Sequence, residues 1–475
     1  MKNLNIKIAI VLFASSFFSC DSMLEEEVFS ELTPETFLTT EKGINSVLNS
    51  AYSAGQLQSF DAYIAYLYLS GLTSGEIWNI GGSIEAWFSP LSNFAWNSNH
   101  RYSLGLWAES YRAIRDANLV LDNLEMGDFS TEYKAKVSAE ARFIRAWSYR
   151  NLYINFGAIP LYTTSESEII QASIPRASND EVEDFIISEL NASITNLPLT
   201  TAIGRATKSA AMGLLCKFYL NTKHWQESAN MAQKIMDMGV NALEEDYNEV
   251  FSLTNEGNPE ILWALASVAP AQGRAINALV VAPGFPALPT QQIYGARTYL
   301  FDDFVSAFEV DDTRDDRFVK SYTSNGGQFF QLFGNDFTYP LKYEFDPSQV
   351  GPIQGNDLPV VRFSDILLSR AEALNQINGP TQESIDLINE VRTRAKATEI
   401  TLAGYSQESL RDFILQERKF EFWFEGKTRE DLLRHDLFIS DAIARGKNAQ
   451  PYHVLFPIPQ IDIDASPEIE QNPGY

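Results

Sequence analysis

The sequence predicts a mainly α-helical protein, a scaffold of paired helices that carries a large irregular part of loops and short strands. Three observations point there. Apolar residues recur at steps of three and four over several separate stretches, the signature of helices with one buried face. Between residues 250 and 360 that period gives way to clusters of Gly, Pro, Asn and Asp that are dense in aromatics. The composition, 45% hydrophobic and 21% charged, is that of a globular chain. Its 475 residues hold one large domain or two to three of roughly 150 residues each. That length supplies a core without disulfides or a structural metal.

The first nineteen residues read as an address. Lys2 and Lys7 precede the apolar run Ile8 to Phe18, whose 11 residues are too few to span a bilayer, which takes about 20. Phe18-Ser19-Cys20 resembles a bacterial lipobox, which makes Cys20 the expected lipidated first residue of the mature chain, followed by an acidic tether from Asp21 to Glu27. Thr33-Pro34-Glu35 opens the first helix, with Ile44, Val47, Leu48 and Ala51 on its stripe. Further stripes run over 106–124 and 137–156. Two helix pairs follow. Ala210 to Tyr219 turns at 221–223 into Trp225 to Ile235, and Ile366 to Leu374 turns at Gly379-Pro380 into Ile385 to Val391. These pairs resemble tetratricopeptide units in a degenerate helical repeat.

The loops between the helices are where function is expected. One, over 74–100, carries Trp78, Trp87, Phe88, Phe94 and Trp96 between Gly75, Gly81-Gly82 and Pro90. The other, over 250–360, carries Phe285, Tyr294, Tyr299 and Phe301 among others. Trp107, Trp147 and Trp225 fall inside helical stripes and are expected in the core.

Charge and motif content narrow the function classes. Lys and Arg number 36 against 62 Asp and Glu, a net charge of −26, whose field repels phosphate backbones and argues against nucleic-acid binding. The chain lacks His-Glu-x-x-His, Gly-x-Ser-x-Gly, a Walker loop and Gly-x-Gly-x-x-Gly. Its four histidines have no zinc-ligand spacing, and Cys216 sits on an apolar stripe as a structural thiol. The run Asp311 to Arg317 alternates acids with arginines and reads as self-compensating ion pairs rather than a calcium loop. Glu417, Arg418, Glu421 and Arg429 have the spacing of ion pairs on a helix face, and Arg392 and Arg394 are expected to pair with acidic neighbours or helix ends.

A string of short elements then gives a resemblance. Arg362-Phe363-Ser364-Asp365-Ile366-Leu367-Leu368, Arg370-Ala371-Glu372-Ala373-Leu374, Ile388-Asn389-Glu390-Val391-Arg392, Gln416-Glu417-Arg418-Lys419-Phe420-Glu421 and Phe424-Glu425-Gly426-Lys427 precede Phe456-Pro457-Ile458-Pro459 and the terminus Asn472-Pro473-Gly474-Tyr475. The N-terminal half adds Glu140-Ala141-Arg142-Phe143, Phe156-Gly157-Ala158-Ile159-Pro160-Leu161 and Gly204-Arg205-Ala206-Thr207-Lys208. In this order they resemble the SusD/RagB family of outer-membrane lipoproteins from Bacteroidetes, over nearly the whole mature chain.

The resemblance implies a tetratricopeptide-like scaffold with an irregular ligand-binding part: a signal peptide at 1–19, an N-terminal helical part at 20–225 and a C-terminal part at 226–475. It implies a non-catalytic, surface-exposed lipoprotein without cofactor or metal. Such a protein captures oligosaccharides and hands them to a SusC-like TonB-dependent transporter. The alternatives are a peptide-binding uptake protein and a surface glycoside hydrolase. Because sugar C–H faces pack on aromatic rings, Trp78, Trp87, Trp96 and Tyr294 are the expected glycan contacts. Where the family often has Ser-Asp-Glu, this chain has Ser74-Gly75-Glu76, so the polar half of the site is expected to be rearranged.

Overall fold

Helices form where the apolar stripes run, and polar caps set their ends. The computed structural model describes residues 37–165, 174–267 and 272–475. The leader, Cys20 and the Thr33-Pro34 helix start lie outside them. Helix α1 (Glu41–Gly55) begins at Thr40, whose Oγ1 accepts from Gly43 N at 3.1 Å, a cap worth about 1 kcal/mol. It buries Ile44, Leu48, Ala51 and Tyr52. The segment 74–100, expected as loop, contains strand β1 (Trp78–Ile80) and helix α2 (Glu85–Ser92). Helix α2 buries only Phe88 and Leu91 of its eight residues, too short a stripe to stand out beside Gly82 and Pro90.

Helices α3 (Arg101–Leu124), α4 (Thr131–Phe156), α5 (Asn179–Asn196), α6 (Lys208–Asn221) and α7 (Trp225–Met238) follow. In the C-terminal part lie α8 (Phe363–Asn378), α9 (Gln382–Arg394), α10 (Gln407–Phe422) and α11 (Thr428–Arg434). Successive helices pack on one another from α3 through α7, α7 packs on α8, and α8 packs on both α9 and α10. This is the stacking of helix pairs that the repeat pattern predicts. Trp107 and Trp147 are buried, and Trp147 Nε1 donates to Gly55 O at 2.7 Å. Trp225 is half-buried against Leu220, Ala229 and Ala373. Cys216 is fully buried on α6, its Sγ 3.5 Å from Ser228 O, and burial pushes its thiol up to about 12.

The span 250–360 is built from 3-10 turns, short strands and one five-residue helix at Asp302–Ser306. Two antiparallel pairs tie it to the helices. Strand β2 (Ile261–Leu265) pairs with β4 (Leu358–Arg362), and β1 pairs with β3 (Arg297–Tyr299).

Glu417, Arg418, Glu421 and Arg429 are not on the helix surface that their spacing suggests. They are buried, and their partners come from distant segments. Arg362, at the end of β4, reaches Glu421 at 2.9 Å, Glu425 at 2.8 Å and Glu260. Arg394 meets Glu260 at 2.7 Å and also Glu421. Arg314 meets Asp312 at 2.7 Å and Glu417 at 2.6 Å, and Arg392 meets Glu417 at 2.5 Å, so the expected pairings of Arg314, Arg392 and Arg394 hold. A second cluster centres on Asp365, which meets Lys217 at 3.0 Å, Lys427 at 2.8 Å and Arg418 at 2.9 Å. Arg429, expected to pair on a helix face, instead donates to Val454 O at 2.6 Å.

Burial by itself raises a carboxyl pKa. Here the surrounding cations outweigh it and hold Asp365, Glu372, Glu421, Glu425 and Asp431 below the usual range. These folded-state values lie below the unfolded ones, so the stabilisation they contribute is present above about pH 4. We expect it to be lost on acidification below that point, visible as an unfolding midpoint that falls progressively as the pH drops from about 4. Arg362→Ala leaves three buried carboxylates short of a partner and is expected to cost about 3–5 kcal/mol in denaturant unfolding. Arg411→Ala, which removes an exposed partner of Asp412, is expected to cost under about 1 kcal/mol.

Candidate functional site

A helical segment from Phe60 to Ser74, with a π turn at Ala65–Leu69, supports the site. Its tyrosines hold the loop that returns through residues 275–298. Tyr63 Oη accepts from Ala275 N at 3.0 Å, and Tyr68 Oη shares a hydrogen bond with Thr298 Oγ1 at 3.0 Å. The segment leads into β1, where Trp78, Asn79 and Ile80 lie opposite Tyr299, Thr298 and Arg297. Gly81 and Gly82 then turn with φ of 83° and 71°. A Cβ on Gly82 would lie 2.8 Å from Ala296 N, so only glycine lets the two chains pass this closely. Glu85, at the start of α2, closes the turn by accepting from Gly81 N at 2.7 Å.

This turn brings Trp87 and Tyr294 to one cleft of about 350 Å³, with Phe60, Ile84, Arg101 and Tyr102 among its other walls. Trp87 is half-buried on α2. His100 stands edge-on to its ring at 6.1 Å and, through Nε2, bonds Trp87 O at 2.8 Å. Burial lowers the His100 pKa, so the ring is neutral and Nε2 is the donor to that carbonyl. Tyr294 is half-buried, burial raises its pKa, and its hydroxyl has no partner among the described residues. Across from the rings, Arg101 Nε lies 2.9 and 3.0 Å from the two oxygens of Asp61. The Arg101 side chain is 46% exposed and lines the cleft, and the guanidinium has further N–H groups beyond the one held by Asp61. Two aromatic faces beside a held Arg–Asp pair suit a ligand with both apolar faces and hydroxyl groups.

The other expected contacts fall elsewhere. Trp78 is half-buried at the far end of the ribbon, tilted on Tyr299 at 4.7 Å, with its Nε1 donating to Asp336 O at 2.8 Å. Trp96 is a correction. The chain turns inward at Phe94, whose φ is 54°, and Trp96 is 5% exposed against Phe94, His453 and Phe456. Its Nε1 donates to Tyr475 Oη at 2.7 Å, so the ring pins the C-terminus and offers no face to a ligand.

Ser74-Gly75-Glu76 also differs from expectation in place. Glu76 is half-buried and accepts from Phe424 N and Thr428 Oγ1, and desolvation raises its pKa. The polar wall of the cleft is instead Arg101, held from behind by Asp61. Sequence reasoning missed both, and one signal pointed to them. Arg101 is a cation in the first turn of α3, a turn with no acidic residue, where the helix dipole disfavours positive charge.

Comparison with known proteins agrees with this architecture. A family profile described as SusD family matches residues 322–475, and one described as starch-binding associating with outer membrane matches 23–220. The chain belongs to the SusD family. A SusD-like protein of Formosa agariphila is 27% identical over the full length of both chains. A surface glycan-binding protein A from Bacteroides uniformis shares the fold at a TM-score of 0.78, with 22% identity over 91% of this chain and 99% of that one. Surface glycan-binding protein A from Bacteroides thetaiotaomicron in complex with laminarihexaose does so at 0.76, with 20% identity over 91% and 99%.

Within this SusD-family fold the tryptophans differ in kind, and substitution separates them. Trp96→Ala is expected to cost about 3–5 kcal/mol of stability by opening a core cavity. Trp87→Ala is expected to stay within about 1.5 kcal/mol, both measured by denaturant unfolding.

Proposed function

We propose that this protein is a non-catalytic cell-surface glycan-capture lipoprotein. It is anchored at the outer membrane through Cys20 and delivers oligosaccharide to a SusC-like TonB-dependent transporter. The carrying observation is the convergence of Trp87 and Tyr294, from segments some two hundred residues apart, on one cleft beside Arg101 and Asp61. Pyranose rings stack on such aromatic faces, and the guanidinium and carboxylate meet hydroxyl groups. The name of the family profile over the N-terminal half and the laminarihexaose bound to a structural neighbour support the same reading.

Capture rather than hydrolysis fits the charges. Glycoside hydrolysis in its usual form takes two carboxylates flanking the scissile bond, about 5–9.5 Å apart. Among the residues lining this cleft the charged one is Arg101, and its carboxylate partner Asp61 is held by that guanidinium.

The test is calorimetry and affinity electrophoresis of the chain against a panel of oligosaccharides, with product analysis of the same mixtures. We expect binding without new products. Trp87→Ala and Tyr294→Ala are each expected to weaken it about tenfold, ~1.4 kcal/mol, in a chain that still folds. Products would replace capture with hydrolysis, and binding to peptides alone would replace the ligand class.

A further inference from the structure

A larger cavity, about 610 Å³, lies at the other end of the β1–β3 ribbon and shares no lining residue with the cleft. Phe301 and Asp336 are in its wall, and Trp78 touches both, its ring 6.4 Å from Phe301 and its Nε1 on Asp336 O. The ribbon between the two is three residues long, about 10 Å, and Trp78 and Ile80 share one of its faces because they are two residues apart. Ile80 is 42% exposed there.

The cavity lining mixes signs, with Glu76, Asp303, Asp336 and Asp441 facing three cations. Lys419, Arg445 and Lys447 line it in a chain of net charge −26. Lys419 is half-buried on α10 and has no ion pair or hydrogen bond among the described residues, whereas its neighbours Glu417, Arg418 and Glu421 are all paired. Lys447 makes one long contact, 3.4 Å to Asn93 Oδ1. Arg445 is held by Asp441 at 2.8 Å and by Thr73 O at 2.9 Å. It packs directly on the bare backbone of Gly75, where a Cβ would lie 2.5 Å from its Nη1.

The acids facing these cations are mostly committed. Asp441 is bound by Arg445, Asp336 Oδ1 accepts from Asp302 N at 2.7 Å, and Glu76 is bound by Phe424 N and Thr428. Asp303 is exposed at the cavity. Two lysines therefore stand without a carboxylate partner inside a walled cavity, where a counter-charge is worth more than on open surface.

We propose that this cavity is a second subsite that takes an anionic substituent, a carboxylate or a sulfate ester, of the glycan whose neutral rings occupy the Trp87–Tyr294 cleft. The chain crosses the ribbon over Ile80 and Trp78. This rests on the glycan-capture reading and adds the ligand's charge to it.

The test uses calorimetry on the chain with two pairs of probes: oligogalacturonate against its methyl ester, and a sulfated galactan oligosaccharide against its desulfated form. We expect one anionic probe to bind at least tenfold more tightly than its neutral partner, and which one does so identifies the substituent. Lys419→Ala/Lys447→Ala is expected to abolish that preference with an unchanged melting temperature, Lys419→Arg to retain it, and Trp87→Ala to weaken both members of a pair alike. Equal binding within both pairs, or a preference that survives the double substitution, overturns the second subsite and leaves glycan capture standing. Failure of every glycan, neutral and anionic, overturns the capture reading and this one with it.

Discussion

The structure hangs on Glu421. Its carboxylate is buried on α10 and is shared by Arg362 from the end of β4, Arg394 from the end of α9 and Arg314 from the irregular part. Each of these charges costs several kcal/mol to dehydrate, and the cost is offset only while all partners are in place. A mutual requirement of this kind fixes register: β4, α9, α10 and the 3-10 turn at Thr313–Asp315 have one relative arrangement that satisfies it. Packing of apolar faces alone tolerates small slides between helices, and a set of shared guanidinium bonds does not.

From that centre the constraint reaches the ligand cleft through a short relay. Glu425, three residues past α10, holds Lys342 and Arg362. Phe424 N and Thr428 Oγ1 on either side of it clasp Glu76. Glu76 precedes Trp78 and the ribbon by two residues, and the ribbon ends in the Gly81-Gly82 turn that delivers Trp87. The loops that carry the aromatic faces are therefore tied to the most strongly determined part of the core. Rigid presentation matters for a well-hydrated ligand such as a sugar, since ordering a loop on binding would consume the modest gain of each ring contact.

The helix pairs were legible in the sequence because their information is local. A stripe of period 3.6, a cap and a glycine or lysine in a left-handed turn lie within some thirty residues of one another, as at Lys223 and Gly379. The buried ion network was not legible for the opposite reason. Glu417, Arg418 and Glu421 have the same spacing whether they face water or the core, and their partners Arg314, Asp365 and Arg362 come from segments that only the fold brings near. The tryptophans divide on the same principle. Trp87 and Trp96 are both flanked by Gly, Pro and aromatics, but the Trp96 indole finds Tyr475 at the far end of the chain and is drawn inward. Trp87 has no such distant hydrogen-bond partner among the described residues and remains half-exposed on α2. Tyr294 was legible as an aromatic in a loop, whereas its place beside Trp87 depends on Tyr63 and Tyr68 holding a return loop more than two hundred residues away.

The two cavities divide recognition by physical range. At the Trp87–Tyr294 cleft the interactions are contact forces, indifferent to net charge and tolerant of which sugar presents its face. At the Lys419–Lys447 cavity they are electrostatic, and here the net charge of −26 works against the two lysines. Salt separates the two effects, because exposed charges are screened beyond about 8 Å at physiological ionic strength while charges within a walled cavity are screened much less. The repulsion that an anionic chain meets on approach is the exposed, long-range part, and the attraction it meets on seating is the short-range part. Moderate salt thus removes more of the barrier to encounter than of the gain on binding. A strongly acidic capture protein and a subsite with two unpaired lysines are for that reason compatible in one molecule.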